Sequence, residues 1–343
     1  MACASSARKA SAVLYHYPCP DGAFAALAAH LYFSAAALPV RFFPNTVYDP
    51  IRSDALPFDE IKDVYLLDFV GPPGFVHEIA PKVERVTILD HHKTALEALG
   101  GNTRLGENVI KVIDMQRSGA TIAFDFFRNK LLTEASTLRS NGIGTDVAEV
   151  KYIPDNKVEM VHKLFKFIED GDLWRWKIPN SKAFSSGLKD LDIEFNVNAN
   201  CKLFDQLLEL DPDHVISRGQ VTLLEKQRLI DDCLEKSYEI SLGYGQFGNC
   251  LAVDADAIST LRSELGNQLA NKSRIGVVVY KVPELNNDQM LKISLRSLEQ
   301  EDTTSISQEY GGGGHRNASS FMLSVTEFER WKVRAEPSES KDA

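Results

Sequence analysis

The sequence predicts an α/β protein: a doubly wound, mostly parallel sheet joined by a helical linker to a smaller α/β domain. Two observations carry this. In the first third of the chain, short aliphatic and β-branched runs alternate with helix-like segments, the pattern of βαβ units. Residues suited to binding metals also recur where those runs stop. Open α/β sheets place their ligands at the carboxyl ends of the strands, and unrelated surface residues would be spread over both ends.

The strand-like runs are Ala12–Tyr15, Val40–Phe43, Val64–Leu67, Val86–Leu89 and Val109–Ile113. Helices are expected over the alanine-rich Gly22–Ser34 and over Thr121–Leu132, followed by a polar loop over Leu131–Thr145. Lys157–Glu169 is helix-like. Asp205–Leu234 is rich in Leu, Glu, Lys and Arg at helical spacings, and its second half reads as a connecting helix. Beyond Ser237 come strands over Leu251–Asp254, Ile275–Val282, Met290–Leu295 and Ala318–Leu323, with a helix over Ile258–Asn271 and a short one over Ser305–Glu309. The charged stretch from Ala335 is expected to fray. The expected domains are 1–204, a connector over 205–236, a second domain over 237–334 and a tail over 335–343.

The chain has 343 residues, 44% hydrophobic and 25% charged, as in an ordinary globular protein of about two domains. No apolar run approaches the roughly 18 residues of a membrane span. Residues 1–10 lack the apolar core of a secretory signal. The five cysteines are scattered without CxxC spacing, which argues for a reducing, cytoplasmic setting, with an organellar one left open. A net charge of −10 argues against an electrostatic grip on long duplex nucleic acid and fits a small or short anionic ligand. A homodimer is compatible with all of this.

The chemistry concentrates in two constellations. His16, Asp21, Asp68, Asp90, His91, Asp170 and Asp172 offer imidazoles and carboxylates without thiolates, a donor set that favours Mn²⁺ or Mg²⁺ over structural zinc. Bridging carboxylates can hold one ion or two, and such a site polarises phosphoryl oxygens and activates water. Asp21 and Asp90 have a competing role as helix caps. The second constellation is Gly311–Gly314 with His315 and Arg316. Backbone N–H groups in such a run can cradle a phosphate or carboxylate, where the bland alternative is a flexible linker. Arg296 is a second candidate phosphate ligand or, equally, a surface ion pair.

These residues resemble the DHH phosphoesterases with a DHHA1-type C-terminal domain, through nearly the whole chain and in order. His16-Tyr-Pro-Cys-Pro-Asp21-Gly22 is similar to the first motif, Leu67–Asp68 to the second, Asp90–His91–His92 to the third and Asp170-Gly-Asp-Leu-Trp174 to the fourth. Ser294-Leu-Arg-Ser297 and Gly311–His315 resemble the two DHHA1 signatures. The resemblance implies a metal-bearing domain and a substrate-gripping domain with a cleft between them. It implies that His16, Asp21 and Asp68 hold one metal. Asp68 would bridge to a second, held also by His91 and an acid of the fourth motif, Asp170 ahead of Asp172. Asp90 would orient the site and His92 would meet the substrate phosphate. Arg296, the backbone of Gly312, Gly313 and Gly314, His315 and Arg316 would bind the nucleotide.

Two departures stand out. The family's first motif carries Asp-x-Asp, whereas here the second acid is replaced by Ala23 and the His16-to-Asp21 gap is one residue longer. Asp114 and Asp172 are candidates to compensate, and Arg117 and Ser118 offer an oxyanion site instead. Ala318-Ser-Ser320 also replaces the usual Ala-Ala-Gly. The leading expectation is a metal-dependent hydrolase of short oligonucleotides or small nucleotide phosphates. A nucleotide-binding regulatory protein with catalysis weakened by Ala23 is the alternative, and a pyrophosphate or polyphosphate hydrolase is a third.

Overall fold

The computed structural model describes residues 9–46, 48–99, 105–140 and 151–333. The part of the polar loop expected over 141–145 and the stretch from Ala335 lie outside them. The chain divides into two compact units, Met1–Thr222 and Leu223–Ala343.

In the first unit the strands are β1 (Ala10–Tyr17), β2 (Val40–Thr46), β3 (Ile61–Leu67), β4 (Arg85–Asp90) and β5 (Val109–Ile113). The helices are α1 (Pro20–Ala35), α2 (Phe75–Ile79), α3 (Lys93–Leu99), α4 (Gly119–Ser140), α5 (Val158–Asp172), α6 (Ser181–Asp190) and α7 (Leu203–Leu208), and α8 (Pro212–Leu234) runs from this unit into the second. All five strands are parallel, in the order β2-β1-β3-β4-β5. Side chains alternate between two cores. Val13 and Tyr15 face α1, α4 and α5 on one side, while Ala12 and Leu14 join Phe75, Val76 and Ile79 of α2 on the other. This is the doubly wound arrangement expected.

Register then positions the chemistry. Tyr15 pairs with Leu67, and Leu67 with Leu89, so His16, Asp68 and Asp90 occupy the next row at the carboxyl edge. The chain order reverses between β1 and β3, the crevice where this topology binds ligands.

Helix α1 is buried on all sides from Ala23 to Ala29, between the sheet and neighbouring helices, which suits its small side chains. Pro20 opens it, where a missing N–H costs nothing. Helix α4 runs eight residues beyond the expected end at Leu132. Its polar turns are satisfied within the helix and by α1: Thr133 Oγ1 donates to the Asn129 carbonyl, and Glu134 takes Lys130 at 2.8 Å and the Tyr32 hydroxyl of α1 at 2.8 Å. Polarity there marks a solvated helix face rather than a loop.

The second unit holds β6 (Tyr238–Ser241), β7 (Asn249–Asp254), β8 (Ile275–Tyr280), β9 (Met290–Ser297), β10 (Gly313–His315) and β11 (Ala318–Ser324). Its helices are α9 (Arg262–Ser273), α10 (Thr304–Glu309) and α11 (Val325–Glu329). The six-stranded sheet has the order β10-β11-β9-β8-β7-β6, and only β7 and β8 pair in parallel. Strand β6, too short to stand out in the sequence, is fixed by pairing with β7 and by burial of Ile240. Among the described residues, no helix is long and apolar enough to cross a membrane.

One buried polar contact ties a loop of the first unit to its sheet. The Tyr15 hydroxyl donates to the Phe195 carbonyl at 2.7 Å and accepts from Val197 N at 3.0 Å. Tyr15→Phe strands both backbone groups and should lower the unfolding free energy by about 1–3 kcal/mol, read as a shift of the urea midpoint. A midpoint equal to wild type would show that this loop is anchored by other contacts.

Candidate metal centre

Asp68 is the pivot. It follows β3 with φ 64°, a left-handed conformation that is uncommon outside glycine, yet its N–H still reaches the Leu89 carbonyl at 2.8 Å. This bend turns a fully buried carboxylate between two imidazoles. Its Oδ2 lies 3.1 Å from His16 Nδ1, and its Oδ1 lies 3.2 Å from His91 Nε2. The second approach lacks hydrogen-bond geometry, so Asp68 Oδ1 and His91 Nε2 are both buried without a partner. Asp172 Oδ2, 3.5 Å from His91 Nε2, is a third orphan at the same point. Asp21 Oδ2 is 3.7 Å from that nitrogen.

Asp21 reaches this position through helix α4. Its Oδ2 accepts from Gly119 N at 2.7 Å and its Oδ1 from Ala120 N at 3.1 Å, so it caps α4 rather than its own helix. The capping role weighed for Asp21 is thus real and coexists with a place in the cluster. Gly119 is required by proximity: a Cβ there would come within 2.8 Å of the Asp68 Cβ and 2.9 Å of Asp21 Oδ2. Nothing local in Ser118-Gly119-Ala120 marks that glycine, because the neighbours it makes room for are distant in sequence.

Asp90 gathers the tripeptide after β4. Its Oδ1 accepts from His91 N at 2.6 Å, His92 N at 3.1 Å and His92 Nδ1 at 2.8 Å. His92 then lines a cavity of about 470 Å³ with His16, Asp68, Asp90 and Asn45.

The remaining sequence candidates fall elsewhere. The Asp170 carboxylate is taken by Lys177 N at 3.0 Å and Ile178 N at 3.2 Å, building the turn after α5. Of the two acids in the fourth motif, Asp172 is the one beside His91. Asp114 Oδ1 accepts from Gln116 N in a turn of its own. Arg117 pairs with Asp125 at 2.7 Å and lies 3.8 Å from Glu169, while Ser118 N donates to Glu169. Ala23 is fully buried in the α1 core. Cys19, which the sequence reading passed over, has its thiol grouped with His16 and Asp68.

In the second unit, Arg296 on β9 donates to Ser263 Oγ at 2.8 Å and lines a cavity of about 200 Å³ with Arg262, Lys292, Gly313 and Gly314. Among the described residues these three cations make no ion pair with a carboxylate. The glycine run is no linker. A Cβ at Gly312 would sit 2.2 Å from the Ser320 carbonyl oxygen, and one at Gly314 would sit 2.5 Å from that of Ala318. Gly314 is set by strand pairing with β11, Gly312 by its approach to Ser320 and Phe321 just before β10, while Gly313 faces open space. His315 and Arg316 are exposed, and neither lines this cavity.

Electrostatically, the first cluster has too much buried negative charge. Burial, and then the neighbouring Asp68 and Asp172, raise the Asp21 carboxyl well above its usual range. Burial and Asp68 raise Asp172. Asp68 goes the other way: burial opposes its ionisation, but contacts with His16 and His91 together hold it low. Burial lowers His91, yet Asp68 and Asp172 carry it above the ordinary imidazole value. Burial, then Asp68 and Asp21, push the Cys19 thiol up to about 12. Buried oxygen and nitrogen donors without partners, surrounded by acids that resist ionising, fit a divalent cation. The donor sets Asp68–His91–His92 and Asp21–His91–Asp172 each bring their ligand atoms within 4.8 Å of one another.

The fold and site define a two-unit α/β chain with a strand-end cluster suited to metal. No family model matches it. An uncharacterised protein of Acanthamoeba polyphaga mimivirus is 26% identical over 326 residues, spanning 91% of this chain and 67% of that one. Among solved structures, the chain is similar to a pGpG-specific phosphodiesterase from Vibrio cholerae, at a TM-score of 0.44 and 12% identity over 93% of this chain and 95% of that one. It is likewise similar to exonuclease RecJ bound to manganese, at a TM-score of 0.40 and 14% identity over 94% of this chain and 88% of that one. At these identities and TM-scores the likenesses assign no residue of this chain a role.

His92 is held up at about 9, first by its hydrogen bond to Asp90. In the metal-free chain its imidazolium therefore stabilises the fold fully below the ordinary 6.5, and that contribution is lost as pH rises through about 9. The thermal midpoint of metal-free protein should fall across this window, and His92→Gln should flatten that part of the profile. An unchanged slope in the variant would place the pH dependence on other groups.

Proposed function

We propose that the chain is a divalent-metal-dependent phosphoesterase of the DHH type, acting on short oligonucleotides or small nucleotide phosphates with Mn²⁺ or Mg²⁺. The observation that carries this reading is the convergence of Asp68 Oδ1, His91 Nε2 and Asp172 Oδ2, buried and without partners at the strand edge. His16, Asp21 and Asp68 would hold one ion. Asp68, His91 and Asp172 would hold a second, with Asp172 supplying the carboxylate that Ala23 cannot. Bound ions of this kind polarise a phosphoryl oxygen and activate water for in-line attack.

The protein's own residues do the rest. Asp68 sets the spacing of the two imidazoles. Asp90 fixes the orientation of the His92 ring, which can then meet a phosphate oxygen. Asp170 acts at one remove, holding the turn that follows Asp172. In the second unit, Arg296, Arg262 and Lys292 are suited to gripping a phosphate, with Gly313 leaving room for close approach.

The test is release of mononucleotide from 5′-labelled two- to five-mers with Mn²⁺, alongside metal stoichiometry by calorimetry. Wild type should turn over, and Asp68→Ala and His91→Ala should be inactive. Asp172→Asn should weaken Mn²⁺ binding by at least about tenfold, whereas Asp170→Asn should leave the stoichiometry unchanged. Equal turnover in wild type, Asp68→Ala and His91→Ala would sink the reading. A single ion per chain and nucleotide binding without turnover would favour a regulatory protein instead.

A further inference from the structure

A second cavity in the first unit, about 590 Å³, borders the acidic cluster. Asp21 and Asp172 are among the residues that line it. Its walls are aromatic: Phe167 and Phe184, stacked 4.6 Å apart, with Trp174, Trp176 and Phe195. Volumes of this order suit a drug-sized or nucleoside-sized ligand.

The turn carrying the two tryptophans is built for display. Trp174 and Trp176 both have left-handed backbones, φ 52° and 51°, a conformation that bulky residues adopt only where surrounding structure enforces it. Asp170 enforces it: its carbonyl oxygen accepts from Arg175 N at 3.0 Å, and its carboxylate accepts from Lys177 N and Ile178 N. The result leaves the Trp174 indole 79% exposed, edge-to-face with Trp176 at 5.5 Å between ring centres. Exposing so large an apolar ring is unfavourable in water unless something covers it.

We infer that this cavity is a nucleobase subsite: a purine or pyrimidine stacks among Trp174, Trp176 and Phe195 while its phosphate lies beside Asp21 and Asp172. This rests on the phosphoesterase reading and assigns the side chains that would hold the base of its substrate. Inorganic pyrophosphate and polyphosphate would leave the cavity unused. The fourth motif then divides its labour, with Asp170 shaping the turn, Asp172 facing the metals and Trp174 meeting the base.

Calorimetric titration of the full chain with Mn²⁺ tests this, with adenosine 5′-monophosphate and ribose 5-phosphate as probes. The base should tighten binding by about 5- to 150-fold, the range of one aromatic–base stack. Adenosine monophosphate should also quench tryptophan fluorescence, against a steady contribution from Trp331, which is buried in the second unit. Trp174→Ala, a change at an exposed position, should reduce the advantage of the base while leaving Mn²⁺ stoichiometry and ribose 5-phosphate affinity unchanged. Phe195→Ala should act in the same direction. Equal affinities for the two probes in wild type, or an unaltered advantage in both variants, would overturn the inference. A base advantage that depends on Trp174 without turnover of any oligonucleotide or small nucleotide phosphate would sink the phosphoesterase reading and leave the subsite standing.

Discussion

The first unit is organised around the crowding of three carboxylates, Asp21, Asp68 and Asp172, on one imidazole, His91. Like charges this close and this buried cannot all ionise without compensation. Two features of the fold compensate in part. Imidazoles at His16 and His91 hold Asp68 ionised, and the first amides of α4 receive Asp21. What they leave over is negative charge and three partnerless donor atoms, which is the demand a divalent cation meets.

Around that demand the rest of the unit is positional. Parallel register places His16, Asp68 and Asp90 in one row. The left-handed bend at Asp68 rotates its carboxylate out of the strand direction and towards His91. Gly119 clears the space in which α4 meets both acids, and the Asp170 turn fixes the chain immediately after Asp172. Each of these devices serves the cluster at some cost to local backbone preference, as expected where function overrides local consistency.

Much of this was legible in the sequence, because hydrophobic periodicity and strand-end chemistry are local. The runs ending before His16, Asp68, Asp90 and Asp114 are strands, and the alanine-rich segment is a helix buried on all sides. Less legible was anything that depended on which distant groups meet. Asp170 and Asp172 are two residues apart and look alike as ligands. Only the geometry of α5's end separates them, since one carboxylate turns back onto Lys177 and Ile178 and the other faces His91. Arg262 is not marked in the sequence because only the packing of α9 against β9 brings it beside Arg296, whereas Lys292 shares the strand and face of Arg296. The polar continuation of α4 past Leu132 read as a loop because its hydrogen bonds are made within the helix.

By itself, then, the sequence determined the α/β class, the two-part organisation and the kind of atoms offered at the strand ends, since these follow from period, composition and residue chemistry. The tertiary structure alone decided which carboxylates share His91, why a glycine stands at 119 and how two tryptophans come to face a cavity beside the acids. Those outcomes depend on register, helix approach and backbone handedness, and none of these is encoded by neighbouring residues.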